Sequence, residues 1–418
     1  MTGQVEDVIT RLRAEQWTRV VAATARVGRD LDLAEDCVQD AFVQALKTWP
    51  RDGLPRYPGA WLMTVACRRA LELRRRSVVL RDKLPLLVEP DSPTAYDAPI
   101  GRVDADAFRW MPDDTLRLVF TCAHPALAPD ARVALTLRLV CGLESEEIAG
   151  CFLVSRPTMQ ARITRAKKKI THAGIPYRVP QAADLPGRLD AVLDTLHLLY
   201  TAGHAASAGP ALVRQDLTQQ AVRLARLVHE LLPDQRGTAG LLALLLLSEA
   251  RQAARTSQDG RFVPLQEQDR TRWDRALLAE GIELTHDGLR GSQLGRYALM
   301  AAIAAVHAEA PSWQLTDWQE IVGLYDVLLA RWPSPIVQLN RAVAIGFRDG
   351  PRTALALLDE LSETESALAA YPYLYAAMAR FQTEVGQRDK ASASLEEAIA
   401  LAGNDVERDH LARQLEEL

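Results

Sequence analysis

Residues 146–170 read EEIAGCFLVSRPTMQARITRAKKKI, and the order of apolar and basic residues in this stretch decides how it folds. Its second half repeats apolar residues at steps of four, three and four: Met159, Ile163, Ala166 and Ile170. A polar set repeats the same steps: Thr158, Arg162, Arg165 and Lys169. Residues three and four apart lie on one face of an α-helix, so the stretch predicts a helix with one packed face and one cationic face.

The start of this basic helix is well marked, and a second short helix is predicted just before it. The Ser155 side chain is suited to cap the helix, and Pro157 is tolerated in the first turn, where no intrahelical N–H bond is needed. Upstream, residues 146–152 place three apolar residues inward: Ile148, Ala149 and Phe152. A basic helix alone is usually a solvated face, but the short helix and tight turn before it predict a helix-turn-helix.

In a helix-turn-helix, the second helix enters the major groove of DNA by its N-terminal half. The residues predicted to meet base edges are Thr158, Gln160, Ala161 and Arg162. The residues predicted to lie against phosphates are Arg165, Lys167, Lys168 and Lys169. The basic helix is therefore the first candidate for a DNA-binding surface.

The rest of the 418-residue chain reads as a set of helical domains, about two to four of them at the usual domain size. It is 48% hydrophobic and 25% charged, within the globular range. Strand patterns are nearly absent and apolar residues recur at three-and-four spacing, so we predict an all-α protein. The longest strongly apolar stretch, residues 241–247, is far shorter than the roughly 20 residues that span a bilayer, so no membrane partner is expected.

The N-terminus and the cysteines bear on the cellular compartment. Residues 1–13 are polar and mixed in charge, without the apolar block of a secretory signal. The five cysteines form no C-x-x-C pair, as expected for buried thiols in a reducing compartment. Both features predict a cytoplasmic protein.

The net charge of −5 conceals two basic blocks. Residues 68–83 contain seven Lys or Arg residues against two acids, and residues 156–169 contain six with no acid. Residues 84–115, between them, contain seven acids and two arginines. Separated blocks of opposite charge indicate local electrostatic function that the average charge hides.

The first basic block belongs to a predicted helix at residues 61–76, WLMTVACRRALELRRR. Trp61 stands near its start and arginines crowd its end. An aromatic ring beside cations suits single-stranded DNA, because bases stack on rings and phosphates need positive charge. Taken alone, Trp61 is more often a core residue.

Residues 33–46 predict another amphipathic helix. Its apolar side holds Val38, Ala41, Phe42, Ala45 and Leu46. Its other side is acidic: Glu35, Asp36, Gln39 and Asp40. An acidic face repels DNA and suits a basic protein partner.

Proline-rich breaks divide the chain. The stretch 84–111 is acidic, carries four prolines and lacks periodicity, which predicts an exposed linker; a second break falls near 174–187. The predicted domains are residues 1–83, 112–174, 187–299 and 300–418. In the last of these, Ala342 and Ala354 stand twelve apart, as do Ala379 and Ala391, with an offset of 37 between the pairs. Small residues at this spacing, with Gly350 and Gly386 near the turns, predict tetratricopeptide-like hairpins, with an unspecialised helical bundle as the alternative.

Three stretches carry a resemblance to a known family: DLAEDCVQDAFVQAL (32–46), GAWLMTVACRRALELRRR (59–76) and the region that starts at PDDTLRLVF (112–120) and ends in the basic helix. In order and spacing, residues 10–172 resemble regions two and four of a bacterial RNA polymerase sigma factor of the extracytoplasmic-function type. The tail resembles the subgroup with a C-terminal tetratricopeptide-like extension. Departures occur at Cys67, Glu72, Glu144 and Pro157; Glu144 takes a capping position where the family usually has Ser or Thr, and a carboxylate still favours a helix N-terminus.

The resemblance implies three sets of contacts, with core RNA polymerase (its β′ clamp helices and β flap) and promoter DNA as partners. The polymerase-binding residues would be Asp36, Gln39, Asp40 and Phe42. The residues that melt and grip the −10 element would be Trp61, Arg68, Arg69, Arg75 and Arg76. The residues that read the −35 element would be Thr158, Gln160, Ala161, Arg162, Arg165, Lys168 and Lys169. The acidic linker would lie near the polymerase active site and RNA exit path.

The long tail suggests regulation. We hypothesise that it docks on the DNA-binding modules, on polymerase or on another protein, through a charged and aromatic surface: Arg251, Arg255, Asp259, Asp269, Arg270 and Trp273. The alternative is that these residues tie one loop to its neighbour.

No pattern for catalysis stands out. Cys122 and His124 lack a second pair at metal-ligand spacing, and the sequence has no nucleophile elbow or phosphate-binding glycine loop, so no metal, cofactor or enzymatic activity is predicted. Two rivals to a sigma factor remain at this point. One is a helix-turn-helix regulator with a tetratricopeptide-like sensor that never joins polymerase, and the other is an interaction scaffold.

Overall fold

The computed structural model describes residues 2–83, 112–152, 154–181, 183–204, 214–257, 259–290 and 294–418. Throughout these ranges the chain forms helices and helical turns, and extended pairing is limited to one isolated bridge between Thr256 and Phe262. The prediction of an all-α protein is confirmed. Among the described helices, none is long and apolar enough to cross a membrane. The linker predicted at 84–111 lies outside the described residues.

The chain divides into two compact units, Met1–Thr195 and Leu196–Leu418, which we call the first and the second unit. The helices of the first unit are α1 (Thr2–Gly28), α2 (Leu31–Asp52), α3 (Pro58–Lys83), α4 (Pro112–Cys122), α5 (Pro129–Leu135), α6 (Ser145–Cys151), α7 (Arg156–His172) and the start of α8 (Leu185–His204). A π-helical turn, Thr136–Val140, continues α5.

Helices α1, α2 and α3 pack as a three-helix bundle. On α2, Val38, Ala41, Phe42 and Ala45 are buried as predicted, but Leu46 is 44% exposed, so its predicted inward position is wrong. The buried stripe runs from Val38 through Ala41 and Ala45 to Trp49, at steps of three, four and four residues, and Trp49 is 2% exposed. Leu46 lies about 100° around the helix from Ala45 and therefore falls outside the stripe.

The predicted helix-turn-helix is formed by α6 and α7 and belongs to a module of helices α4–α7. The predicted apolar stripe of α7 is buried: Met159, Ile163, Ala166 and Ile170. Ser155 caps α7, since its hydroxyl accepts a hydrogen bond from Thr158 N at 3.4 Å. Glu144 and Glu147 form a capping box at the start of α6, so the carboxylate at 144 does cap the helix.

The second unit continues with α9 (Gln215–Leu231), α10 (Arg236–Glu249), α11 (Arg275–Leu289), α12 (Arg296–Glu309), α13 (Trp318–Arg331), α14 (Pro335–Asp349), α15 (Pro351–Thr364), α16 (Pro372–Glu384), α17 (Arg388–Leu401) and α18 (Asp405–Glu416). Helix α10 packs against α9, α11 and α12, and its apolar run from Leu241 to Leu247 is buried on every side. This run is therefore the centre of a core.

Helices α14–α15 and α16–α17 form the two hairpins predicted from small residues. All four alanines are at most 2% exposed: Ala342, Ala354, Ala379 and Ala391. Gly350 and Gly386 stand at the turns with φ of 102° and 79°, a conformation that favours glycine. Residues without bulky side chains at these crossings allow the helices of each hairpin to approach closely.

Candidate nucleic-acid interface

The exposed face of α7 carries most of the residues predicted to contact DNA: Thr158, Gln160, Ala161, Arg165, Lys168 and Lys169. Arg162 is half-buried, with Nη1 3.3 Å from the Asp130 carboxylate and its guanidinium 5.2 Å from the centre of the Phe152 ring. Arg162 must leave Asp130 to reach a base, whereas the exposed residues can meet a ligand as they stand.

Lys167 is placed differently from its neighbours on α7. The sequence predicts it against phosphates, but its side chain is 8% exposed and its ammonium group donates to two carboxylates of α2. The Nζ atom lies 2.7 Å from Asp32 Oδ1 and 2.6 Å from Glu35 Oε2. The predicted phosphate contact is therefore wrong for this arrangement. The helical spacing of apolar residues could not predict the burial of Lys167, because position 167 lies at the edge of the buried stripe, next to Ala166.

Glu35 is the centre of a buried charge cluster between the bundle and the helix-turn-helix module. Besides Lys167, it accepts a hydrogen bond from Arg138 Nε at 2.5 Å, and Gln39 Nε2 donates to it at 3.1 Å. Arg138 Nη1 also donates to Leu143 O and to Glu144 Oε2, both at 2.9 Å. We call Asp32, Glu35, Arg138 and Lys167 the Glu35 cluster.

The cations of the Glu35 cluster are held in their charged form. Burial alone lowers the pKa of Lys167 and of Arg138, but the charge of Glu35 and the hydrogen bonds to the carboxylates outweigh it, so both pKa values are raised. Each buried charge thus has an opposite charge within hydrogen-bonding distance, as a buried ion pair requires.

Further contacts join the bundle to the module around the Glu35 cluster. Trp17 Nε1 donates to Leu139 O at 3.2 Å and Thr18 Oγ1 donates to Val140 O at 2.6 Å, so α1 caps the carbonyl groups of the π-helical turn. Gly142, with φ of 74°, lies against the Trp17 ring, and a Cβ atom there would come within 2.8 Å of it. These contacts make one continuous interface, which we call the joint.

The outer face of α2 contains the residues predicted to bind polymerase, with one exception. Asp36 and Asp40 are exposed and Gln39 is half-buried. Burial, followed by the nearby charge of Glu35, raises the pKa of Asp36. Phe42 is 7% exposed, with its ring 6.1 Å from that of Trp17, so it supports the bundle and does not face outward.

Sequence reasoning missed two members of this face. Val43 is 47% exposed and Leu46 is 44% exposed. Their spacing of three, and that between Asp40 and Val43, places them along the same side of α2 as Asp36. That spacing was present in the sequence, but Leu46 was assigned to the core. The resulting surface combines carboxylates with apolar side chains.

The residues predicted to melt DNA lie along α3. Trp61 is half-buried, with its ring edge-on to Trp49 at 5.4 Å. Arg68, Arg75 and Arg76 are exposed. Arg69 is half-buried and lies 3.8 Å from the Glu72 carboxylate, as a weak surface pair.

An aromatic residue just before α3 was also missed. Tyr57 is 64% exposed, and the guanidinium of Arg56 lies 5.3 Å from the centre of its ring. An aromatic residue beside cations was the pattern used to select Trp61. Arg56 and Tyr57, which are adjacent in the sequence, show the same pattern. Tyr57 is better exposed for stacking on a base than Trp61 is.

Potential metal-ligand residues are scattered in the described part of the chain. In the described part of the chain, no group of three or more His, Cys, Asp or Glu residues could hold a metal ion. Cys122 is fully buried, and burial raises the pKa of its thiol well above the usual range, which keeps it neutral.

Comparisons with known proteins agree with this geometry. Residues 14–78 match sigma-70 region 2 and residues 117–170 match sigma-70 region 4. Residues 188–289 match a family of unknown function. An uncharacterized protein of Rhizobium meliloti (strain 1021) is 39% identical over 417 residues, which cover 100% of this chain and 96% of that protein. No solved structure matches the chain.

The bundle, the helix-turn-helix module and these matches define an RNA polymerase sigma factor, whose partners are polymerase and promoter DNA. Within that class, the chain belongs to the extracytoplasmic-function sigma factors that carry a C-terminal helical extension. The predicted family is thereby confirmed.

Proposed function

We propose that this sigma factor binds the β′ clamp helices of core polymerase through the outer face of α2, opens the −10 element with α3 and reads the −35 element with α7. The β flap is the expected second polymerase contact, as the family implies. The observation that carries this proposal is the exposed mixture of carboxylates and apolar side chains on α2. A regulator that acts without polymerase needs no such surface.

The −10 and −35 assignments rest on exposure and charge. On α7, the exposed row begins at the capped N-terminus, the end that enters the major groove in helix-turn-helix proteins. On α3, exposed arginines follow half-buried Trp61, and Tyr57 adds an exposed ring near the helix start. We therefore add Tyr57 to the proposed −10 residues.

The joint has a consequence for how the proposed function begins. Lys167 donates a hydrogen bond to Asp32 and is buried, so this cation of α7 is withheld from other partners, whereas the side chain of Asp32 is 59% exposed. The −10 and −35 elements lie at separate places on the promoter duplex. The bundle and the helix-turn-helix module must therefore bind DNA at a distance from each other. The joint therefore belongs to a closed form, and loading onto polymerase and DNA opens it.

The test is run-off transcription with core polymerase on a genomic promoter library. The intact chain is compared with an Asp36→Ala/Asp40→Ala variant, and with Glu396→Ala/Glu397→Ala as a control that removes two exposed acids from α17. We expect promoter-specific transcripts from the intact chain and the control, and about tenfold weaker ones from the α2 variant, as for interface charges worth about 1.4 kcal/mol. An intact chain that binds DNA but never programmes polymerase would favour the helix-turn-helix regulator.

We further propose that the second unit regulates the first. The unit boundary falls inside α8, and Arg188 in its first half donates to Phe120 O at 2.8 Å. A truncation should therefore keep this half and remove residues 196–418. Unchanged promoter-dependent transcription by the truncated chain would contradict regulation by the second unit.

A further inference from the structure

The loop that follows α10, residues 250–274, carries three arginines that are buried or half-buried in the second unit: Arg251, Arg255 and Arg270. Arg255 is 9% exposed and its Nη1 donates to His204 O, at the end of α8, at 2.6 Å. Arg270 Nη1 donates to His307 O at 2.5 Å and to Ala310 O at 2.7 Å, at the end of α12. These carbonyl contacts explain two of the three arginines as ties between the loop and its neighbouring helices.

The third arginine, Arg251, has no such explanation. No hydrogen bond or ion pair joins its guanidinium to any residue in the described part of the chain. Its side chain is half-buried, and burial together with the charge of Arg255 lowers its pKa to about 10. Its charge also reaches His204 and His307, since it helps to lower the pKa of both histidines. Arg251 is therefore a charged group surrounded by the other two arginines and the two histidines.

Several buried polar atoms near Arg251 also lack hydrogen-bond partners among the described residues. Trp273 is 3% exposed, and the guanidinium of Arg270 lies 4.6 Å from the centre of its ring. The buried atoms without a hydrogen bond here include Trp273 Nε1, Arg270 Nη2, His307 Nδ1 and His204 Nδ1, with both amide atoms of Gln252. Indole and guanidinium nitrogens only donate, so at least two of these atoms require an acceptor. Buried donors without acceptors are rare in folded proteins.

Among the described residues, no carboxylate charge acts on the pKa of Arg251 or of Arg270. The groups that act on the pKa of Arg251 are Arg255, Tyr200 and Arg270, with no carboxylate among them. The charges of Glu249 and Glu407 both act on Arg255; Glu249 also accepts hydrogen bonds from Tyr200 and Thr218, and burial raises its pKa. Buried cations without counter-charges are unfavourable unless an anion joins them.

We propose that this cluster binds a small oxyanion, a phosphate or carboxylate group of a metabolite. Arg251 supplies the charge, and Trp273 Nε1, Arg270 Nη2 and His307 Nδ1 supply hydrogen bonds. The half-buried position of Arg251 gives the anion access from solvent. The site lies wholly in the second unit and does not depend on the sigma-factor assignments, so it stands or falls separately from them.

The experiment is calorimetric titration of the full chain with inorganic phosphate and, separately, with malonate, at constant ionic strength with chloride as reference. The variants are Arg251→Met, which keeps the aliphatic stem, and Arg223→Met, an exposed arginine in the middle of α9, as control. Binding of at least one anion to the wild type and the control, weakened tenfold or more in Arg251→Met, is expected from loss of a charge-assisted hydrogen bond. The anion that binds identifies the class of ligand.

Thermal unfolding supplies a second readout that a structural arginine would not move in the same direction. Without anion, Arg251→Met should unfold at a higher temperature than the wild type, because it removes an unpaired buried charge; Arg223→Met should not change. The proposal is overturned if neither anion binds the wild type more tightly than chloride, if Arg251→Met binds equally well, or if Arg251→Met lowers the unfolding temperature. If Arg251→Met does not fold, Trp273→Phe removes one donor with little change of shape and must weaken binding.

Discussion

The joint of the first unit and the loop after α10 in the second unit both bury arginine or lysine, but they treat the charge in opposite ways. In the Glu35 cluster, two cations share one fully buried carboxylate and Asp32, and the hydrogen bonds are 2.5 to 2.7 Å long. In the loop after α10, Arg255 and Arg270 donate to backbone carbonyl groups, whereas Arg251 has no hydrogen bond or ion pair with a described residue. The first pattern is that of an internal contact, and the second is the one from which we propose a ligand site. Buried charge thus indicates a fold contact or a function according to whether its partner lies in the same chain.

The largest predicted effect is loss of Glu35. Glu35→Ala leaves Arg138 and Lys167 buried without their carboxylate, which should cost about 3 to 5 kcal/mol of first-unit stability in the closed form. Urea unfolding followed by a first-unit probe measures it. Asp36→Ala, one residue along α2 and exposed, is the control and should change stability by less than about 0.5 kcal/mol. Equal effects of the two variants would mean that the Glu35 cluster contributes nothing special.

The next effect concerns opening of the joint. Lys167→Glu places a negative charge against Asp32 and Glu35 and should shift the balance from closed to open by about 3 kcal/mol, more than a hundredfold. Energy transfer between dyes on Gln44→Cys and Thr164→Cys, both exposed positions, reports the separation of α2 and α7 after the native cysteines are replaced. Lys168→Glu makes the same charge change on the exposed side of α7. It should weaken DNA binding and leave the energy transfer unchanged; a matching loss of transfer in both variants would argue against the joint.

A smaller effect is a pH dependence of the stability of the second unit. Burial first, and then the charges of Arg251 and Arg270, lower the pKa of His307 to about 4 from 6.5. Between pH 6.5 and pH 4, His307 is protonated in the unfolded chain but neutral in the folded chain. The free energy of unfolding therefore falls as the pH falls, by up to about 1.4 kcal/mol per pH unit. Partial exposure reduces this to about 1 kcal/mol at pH 5.5. Unfolding measured from pH 7.5 to pH 4.5 should show a shallower slope for His307→Gln.

The first unit offers the internal contrast for that experiment. The pKa of Lys167 is raised above 10.5, so its stabilising contribution is complete below 10.5 and is lost only as the pH rises above that value. The titration of Lys167 therefore adds no slope between pH 7.5 and pH 4.5. If His307→Gln shows the same slope as the wild type, His307 is not held neutral by its surroundings.

The smallest effect has the opposite sign to the first. Arg251→Met should raise the free energy of unfolding of the second unit by about 1 kcal/mol without anion, within the range seen when buried charges are replaced by apolar groups. Guanidinium unfolding with a second-unit probe measures it, against Arg223→Met. A higher free energy of unfolding in Arg251→Met and a lower one in Glu35→Ala would establish the difference between the two clusters. A lower free energy of unfolding in both variants would contradict that difference.

The regular spacing of apolar residues made the helices and their buried faces predictable. It did not predict the exposure of single residues next to a buried stripe. The stripe of α7 and the alanines of the two hairpins are buried as predicted, because residues three, four or twelve apart meet the same neighbours in any packing of such helices. Leu46 and Lys167 adjoin buried residues at 45 and 166. Whether such a residue faces solvent or a second element depends on what that element supplies, and Glu35 lies 132 residues away from Lys167.

The candidate site in the tail shows the same limit. The sequence singled out Arg251, Arg255, Arg270 and Trp273, but as an exposed docking surface, and Trp273 and Arg255 are buried. For Arg255 and Arg270, the alternative that they tie a loop to its neighbours agrees with the structure. The charged and aromatic composition of the loop identified these residues as candidates. Their burial, and the absence of a described partner for Arg251, could not be predicted from the sequence because both depend on the packing of distant helices.

Gly142 gives the joint a property that can be read in other chains. A single methyl group there would collide with Trp17, and the backbone conformation already favours glycine. The joint in this arrangement therefore requires glycine at position 142. A related sigma factor with a larger residue at this position, opposite a tryptophan, would have to rest open. The pair formed by positions 17 and 142 therefore offers a marker for sorting relatives into chains whose bundle and helix-turn-helix module can pack together in this way and chains in which they cannot.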